Sequence, residues 1–455
     1  MTEQAATLTP QVTVIRYGWH DRFKIPLDHP SALSFYLDNL FVPHSRREML
    51  WAAVARASAP AGSAMLPLLG LTAADRLKGR GRAPDGGRDG ADGAGSDARA
   101  ERLVARLREA GVPVGDTPSV ITLDDYRHSE RGKMVIFLLD RGASKPCVVA
   151  KASGDPEHGA ALGREHAALL SLHGRLDEEL RATLPLPLAA VEEGGLMTFA
   201  EAYMPGRSMY FEMRNSWLPR RRAEGHFRIA RNWLVRFQKA TRVGEAQLGG
   251  QLSDEHVVQP LREYQRLCSP AAAERKFIAE VMRKAQSVKH ERLPVVAGQG
   301  DFWARNLILN GGGLGVLDWE NYGERGTPFS DLFLFTTSYG LSYSWRIGRW
   351  AEPVIAFRAT YTGEGWMARL VRKQLLAYCA ATGVSPKLLE VFFPAFLAGR
   401  ALEERSRRGR NGSRRGAVRG AGQGGGREVI SEGGGTWGRL FQEYARLEGR
   451  VCFGS

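Results

Sequence analysis

Apolar residues come in short runs through the early body of the chain and then recur at helical spacing. KMVIFLLD (Lys133 to Asp140) and PCVVAKA (Pro146 to Ala152) are rich in β-branched side chains. The short connection RGASK joins them, which predicts a hairpin-like pair of strands. GAALGREHAALLSLHGRL follows, with Leu162, Leu169 and Leu176 at every seventh position, and predicts an amphipathic helix. LMTFAEAYM predicts a further strand, stopped by Pro205-Gly206. From about Arg222 onward the pattern is helical, interrupted mainly around AGQGDFWARNLIL, Ala297 to Leu309. There LIL, NGGG and LGVL form two apolar runs about an Asn-Gly turn, a local hairpin signal. With Asn310 to Gly313 as the turn, Leu309 faces Leu314, Asn306 falls opposite Leu317, and Asp318 lies beside Asn306. A sheet followed by helices is the α+β arrangement.

Two stretches have little to bury. RLKGRGRAPDGGRDGADGAGSDARA (Arg76 to Ala100) and the Arg/Gly-rich stretch from Arg405 to Gly435 would not recover the backbone entropy lost on folding. Both read as flexible linkers or loops. The chain then divides into an N-terminal region of unknown role (1–75), a flexible linker (76–100), a β-rich lobe (101–205), a helical lobe (206–404), a disordered Arg/Gly segment (405–435) and a C-terminal helix (436–455). The N-terminal region holds aromatic-rich SFYLDNLF and a predicted helix, SRREMLWAAVARA, and names no chemistry.

The length of 455 residues and a hydrophobic content of 43% suffice for at least two cores. The formal charge of +14 invites a nucleic-acid partner, but eight arginines between Arg405 and Arg427 supply more than half of it. That segment has no aromatic residue on which bases would stack, so a solvated loop is the better reading. Four scattered cysteines, without C-x-x-C spacing, fit a reducing compartment. The N-terminus lacks a signal-peptide pattern and no run of about 18 apolar residues occurs, so a soluble, cytoplasmic protein without membrane contact is expected.

Candidate chemistry begins with Asp301, Asn306 and Asp318. Carboxylates and an amide carbonyl are hard oxygen donors suited to magnesium, which keeps several waters and also takes substrate phosphates. The plain alternative is a hairpin whose polar ends cap turns. Lys151 interrupts an apolar strand, where an edge lysine with its ammonium in water is the ordinary outcome. Glu165 changes that reading. It lies close to the apolar stripe of its helix, and an inward carboxylate needs a partner, for which Lys151 is the natural choice. A strand lysine fixed by a helix glutamate is what positions nucleotide phosphates in kinase-type sites.

GQGDFWARNLIL with VLDWE resembles the catalytic loop and metal-binding strand of the aminoglycoside phosphotransferase and choline kinase family, relatives of protein kinases. The resemblance covers about residues 127–400 and implies a protein kinase-like bilobal fold, with a small antiparallel β lobe and a mainly helical one. It implies Asp301 as catalytic base, Asn306 and Asp318 as magnesium ligands, and Lys151 with Glu165 at the ATP phosphates. Main-chain groups near Glu201 to Tyr203 would face adenine, and Asp331 in GTPFSDLF would have a structural role. Gln299 stands where the family motif has a histidine that braces the loop. HSERGK, His128 to Lys133, has one glycine where a Gly-rich loop is expected, so phosphate contacts there fall to main chain, Ser129 or Lys133. Glu320 reads as a solvated residue.

The expected function is Mg2+- and ATP-dependent transfer of phosphate to a hydroxyl of a small molecule such as a sugar, an amino alcohol or an aminoglycoside-like compound. The alternative is a pseudokinase-type nucleotide-binding module without catalysis. A third reading, RNA binding through the Arg/Gly segment, would show itself as steep salt dependence. No Gly-x-Ser-x-Gly, H-E-x-x-H or Walker P-loop pattern is present.

Overall fold

The computed structural model describes residues 12–17, 21–26, 32, 35–36, 92–116, 118–125, 133–140, 142–193, 195–215, 219–344, 352–419, 435–449 and 453. The expected helix SRREMLWAAVARA, most of SFYLDNLF and residue Ser129 lie outside them. The chain forms two compact units, one comprising residues 1–215 and 307–321, the other 216–306 and 322–455.

The first unit is built on a seven-stranded sheet in the order β1-β2-β3-β4-β5-β7-β6. Its strands are β1 (Val12–Tyr17), β2 (Asp21–Pro26), β3 (Ser119–Asp125), β4 (Lys133–Leu139), β5 (Val148–Ser153), β6 (Pro187–Glu193) and β7 (Leu196–Ala202). Every pairing is antiparallel. Residues 12–17 and 21–26 thus extend the sheet by two strands beyond the β-rich segment expected from the sequence. β5 is buried at all six positions, Lys151 among them, as an interior strand between β4 and β7.

Residues opposite one another across a sheet share a face, so register sorts the side chains. One face carries Ile136, Leu138, Val148, Ala150 and Ala200, and it packs on Leu103, Val104 and Leu107 of α1 (Asp92–Glu109). That helix starts inside the stretch read as a linker. Its docking contacts lie beyond that stretch, in LVARL, and the apolar side chains there fix the helix against the sheet despite the Gly- and Asp-rich start. The other face carries Lys133, Val135, Phe137, Val149, Lys151, Phe199 and Glu201.

α2 (Pro156–Arg175) follows β5. Its N-cap Asp155 accepts from the N–H groups of Glu157 and His158 at 2.9 and 3.2 Å, and Pro156 occupies the first helical position. Leu162, Glu165, Leu169 and Leu172 are buried along its inner stripe. The hairpin pairs Leu307–Asn310 with Gly313–Val316, Leu309 facing Leu314, and the other edge of its first strand pairs with β8 (Arg207–Ser208). Gly311 and Gly312 make the turn at φ values of 49° and 102°, which side-chain-bearing residues adopt only at a cost.

The second unit is mainly helical. A three-stranded sheet places Arg292–Gly298 between Gly244–Gln247 and Gly323–Gly326, and so delivers the chain to Gln299. Around it lie α3 (Pro219–Ala240), α4 (Gln259–Cys268), α5 (Ala272–Ser287), α6 (Ser330–Ser344), α7 (Pro353–Tyr361), α8 (Trp366–Thr382), α9 (Leu389–Arg419) and α10 (Thr436–Arg446). α6 is buried from Asp331 to Ser342 without a polar side, and its Thr336 and Thr337 hydroxyls meet the Tyr361 hydroxyl at 2.6 and 2.7 Å. α9 continues to Arg419, into the segment read as disordered. Arginine is a good helix former, and Glu404 pairs with Arg408 one turn on. The Glu404 carboxylate also accepts from the N–H groups of Thr436 and Trp437, 2.9 Å each, and so caps α10. No described helix is long and apolar enough to cross a membrane.

Candidate active site

The residues singled out from the sequence divide between the units. Lys151, Glu165, Glu201, Tyr203 and Asp318 belong to the first, Asp301 and Asn306 to the second.

In the first unit the sheet register directs Lys151 away from the α1 face, toward α2. Its Nζ lies 2.7 Å from Glu165 Oε1 and 2.9 Å from Glu201 Oε1, with the three residues 8%, 2% and 8% exposed. Burial alone would lower the lysine pKa, but the two carboxylates outweigh it and raise it far above the usual value. Glu165 is disfavoured as an ion by burial, yet Lys151 and Lys133 hold its carboxyl below the ordinary range. Glu201 goes the other way. Burial pushes it up to about 7, Lys151 offsets part of this, and the negative Glu165 adds to the rise.

The strand leaving the hairpin locks onto the same pair. Trp319 is fully buried, its indole N–H donates to Val316 O at 2.9 Å, and its backbone N–H donates to Glu165 Oε1 at 3.2 Å. Its neighbour Asp318 sits at φ 62°, a left-handed conformation costing about 1–2 kcal/mol for a residue with a side chain. Burial raises Asp318 to about 6, against the pull of Lys133. Lys133 Nζ lies 3.6 Å from Asp318 Oδ1 and 3.4 Å from Glu320 Oε2.

Tyr203 closes this face. The N–H groups of Ala202 and Tyr203 already donate to the carbonyls of Leu186 and Cys147, at 2.8 and 3.0 Å. The Tyr203 ring lies 5.6 Å from Phe35, which also meets Phe137 at 5.6 Å, so an N-terminal side chain lines the same face. Burial pushes the Tyr203 hydroxyl up to about 12.

In the second unit the loop after Gly298 is held from beneath. Asp331, at the start of α6, accepts from Gln299 N at 2.7 Å and from Gly300 N at 2.9 Å. Burial pushes Asp331 up to about 6, the two N–H groups restraining the rise. Gln299 is fully buried and its Oε1 accepts from Asp301 N at 2.8 Å. Phe302 stacks on Trp233 at 5.4 Å and anchors the loop on α3. Asn306 Nδ2 donates to both Asp301 O and Asp301 Oδ2 at 3.0 Å. The base candidate is thereby fixed on both sides, while the Asn306 carbonyl oxygen remains as that side chain's donor to a cation.

Sequence reading did not foresee the Glu201 carboxylate on Lys151, the Lys133 contacts or Phe35. Glu201 had a signal, an acidic residue in an otherwise apolar strand. Phe35 had none, because its contacts lie about a hundred residues or more along the chain.

The residues present fit a divalent cation. Two ion-pair groups lie on this face, Lys133 with Asp318 and Glu320, and Lys151 with Glu165 and Glu201, each setting two carboxylates against one ammonium. Burial raises the pKa values of Glu201 and Asp318, and the negative Glu165 adds to the rise of both. Among the described residues no three His, Cys, Asp or Glu side chains gather as a ready cage. Magnesium sites completed by phosphate and water are built with few protein ligands in this way.

No curated protein sequence matches the chain. Several solved structures are similar at low identity. A glucosamine kinase in complex with glucosamine, ADP and inorganic phosphate is 17% identical over 66% of this chain and 79% of its own, with a TM-score of 0.41. The aminoglycoside phosphotransferase APH(3'')-Id from Streptomyces rimosus, in complex with ADP and streptomycin, is 13% identical over 66% and 96%, with a TM-score of 0.35. A thermostable mutant of APH(4)-Ia with AMP-PNP and hygromycin B is 12% identical over 74% and 92%, with a TM-score of 0.38. Residues 94–370, from the first turn of α1 into α8, match the family described as phosphotransferase enzyme family, APH. The match spans more than half of the chain, and the chain belongs to that family.

Proposed function

We propose that this protein transfers the γ-phosphate of ATP to a hydroxyl of a small molecule, a sugar, an amino alcohol or an aminoglycoside-like compound, with magnesium. The observation that carries the reading is the buried Lys151–Glu165 pair at 2.7 Å on the central strand. Phosphoryl transfer asks little covalent chemistry of a protein; it asks for charge neutralisation and alignment. Family membership supports the reaction class.

In this reading Lys151, steadied by Glu165, holds the α- and β-phosphates, and main-chain groups from Glu201 to Tyr203 border the adenine. Asn306 and Asp318 would hold magnesium, which would supply positive charge to phosphate oxygens. Asp301 orients the acceptor hydroxyl and takes its proton as the new P–O bond forms. Its N–H bond to Gln299 and its carboxylate bond to Asn306 keep it in one orientation. The bracing by Gln299 supports the catalytic reading over a regulatory module, because the glutamine oxygen supports the loop that the family's histidine braces.

A metabolite pool incubated with labelled ATP tests this. The wild-type protein should incorporate phosphate into a small-molecule fraction, and Asp301→Asn should lose transfer by at least about a thousandfold while its ATP-dependent thermal shift persists. Unchanged transfer in Asp301→Asn rules out the base. ATP-dependent stabilisation without incorporation into any fraction favours the regulatory module.

A further inference from the structure

Lys133 opens β4, on the same sheet face as Lys151. Its ammonium contacts Glu320 and Asp318 across 187 and 185 positions of sequence, with 28% of the side chain exposed. The stretch that precedes it, HSERG, has one glycine, and Lys133 itself is a charged group at the start of β4. A lysine ammonium and a hard divalent cation seek the same oxygen anions, and both cannot sit on one carboxylate pair without strong repulsion.

We infer that Lys133 is a positioning residue that couples metal and nucleotide binding. The inference rests on the proposed function above. Before nucleotide binds, the Lys133 ammonium neutralises Asp318 and Glu320 and keeps a divalent cation from settling on them. Nucleotide phosphates offer the ammonium a stronger anion; Lys133 moves to them and leaves Asp318 open to the cation. Metal alone therefore binds weakly, and each ligand strengthens the other by the same factor, as linkage requires. No bond is made or broken in this exchange of ion pairs.

The test is a Mn2+ titration followed by electron paramagnetic resonance, with and without a non-hydrolysable ATP analogue, on the full chain. Wild type should bind Mn2+ weakly alone and at least about tenfold more tightly with the analogue. Lys133→Met should bind Mn2+ alone about tenfold more tightly than wild type, with most of the analogue's effect lost. Lys133→Arg, which keeps the charge, should behave as wild type and serves as a second comparison if the methionine variant folds poorly. Equal Mn2+ affinity in wild type and Lys133→Met, with Asp318→Asn abolishing binding in both, overturns the role of Lys133 and leaves the proposed function standing. Mn2+ binding that Asp318→Asn does not change overturns both.

Discussion

Asp331 Oδ2 receives the backbone N–H of Gln299 at 2.7 Å, and its other oxygen receives that of Gly300 at 2.9 Å. One buried carboxylate thus satisfies two successive donors at the root of the loop that carries Asp301. Asp331→Asn replaces one of these acceptors with an NH2 group facing an N–H. The expected cost is about 2–3 kcal/mol of stability, since a charged acceptor is lost and a buried donor is left without a partner. Urea unfolding checks the stability, and transfer assays should show a lower kcat with little change in KM for ATP. A variant as stable and as fast as wild type would remove Asp331 from this role.

Gly206 ties β7 to the hairpin. It adopts φ 135°, and a Cβ there would lie 2.7 Å from Ile308 Cγ2 and closer still to Leu309 O. Neither backbone nor a β-branched side chain yields easily, so Gly206→Ala should lose about 2–4 kcal/mol. Thermal melts compared with Gly195→Ala, where φ is 75° and nothing lies within 4 Å, separate the clash from the conformational cost alone.

Glu201 gives stability a pH dependence of definite sign. Burial raises its pKa from 4.5 to about 7, so between these values the folded protein keeps a proton that the unfolded chain has released. The associated stability is fully present below about pH 4.5 and is lost as pH rises through about 7. Glu201→Gln has no proton to release. Relative to wild type it should gain on the order of 2 kcal/mol between pH 5 and pH 8. Denaturant titrations at the two pH values measure the difference, and a parallel response of the two proteins would refute the assignment.

Glu165 serves two donors, Lys151 Nζ and Trp319 N, through the same oxygen. Glu165→Ala leaves Lys151 with Glu201 alone and strands the Trp319 N–H. A loss of about 3–5 kcal/mol is expected, as for other broken buried pairs. Glu165→Gln keeps an oxygen for both donors and should lose less. Equal losses in the two variants would point to packing instead of these bonds.

Much of the sheet unit was legible because its signals are local. The runs KMVIFLL and VVAKAS are β4 and β5, and Asn310 with three following glycines fixed the hairpin register that pairs Leu309 with Leu314. The pattern at α2 was legible for the same reason, its inner face repeating at helical spacing. α1 was not, since its first turns are Gly and Asp and its stability comes from docking Leu103 and Leu107 on the sheet. α6 carries no periodic signal at all, because both its sides are buried. β1 and β2 were missed because only the pairing of β2 with β3, and of β1 with β2, gives them a role. At the candidate site, residue types pointed to the Lys151–Glu165 pair and the family resemblance to Asp301 and Asp331, whereas the Lys133–Asp318 contact depends on chain crossings that no local pattern encodes.

The sheet unit is assembled from two separated stretches, 1–215 and 307–321, with about ninety residues of the other unit between them. No single cut can release it whole. A fragment ending at residue 215 would keep both ammonium groups and lose Asp318 and Glu320. Exchange of lobes between homologues as single cassettes would strip half the counter-charges from the lysines, so recombination between such genes is constrained to carry both stretches together.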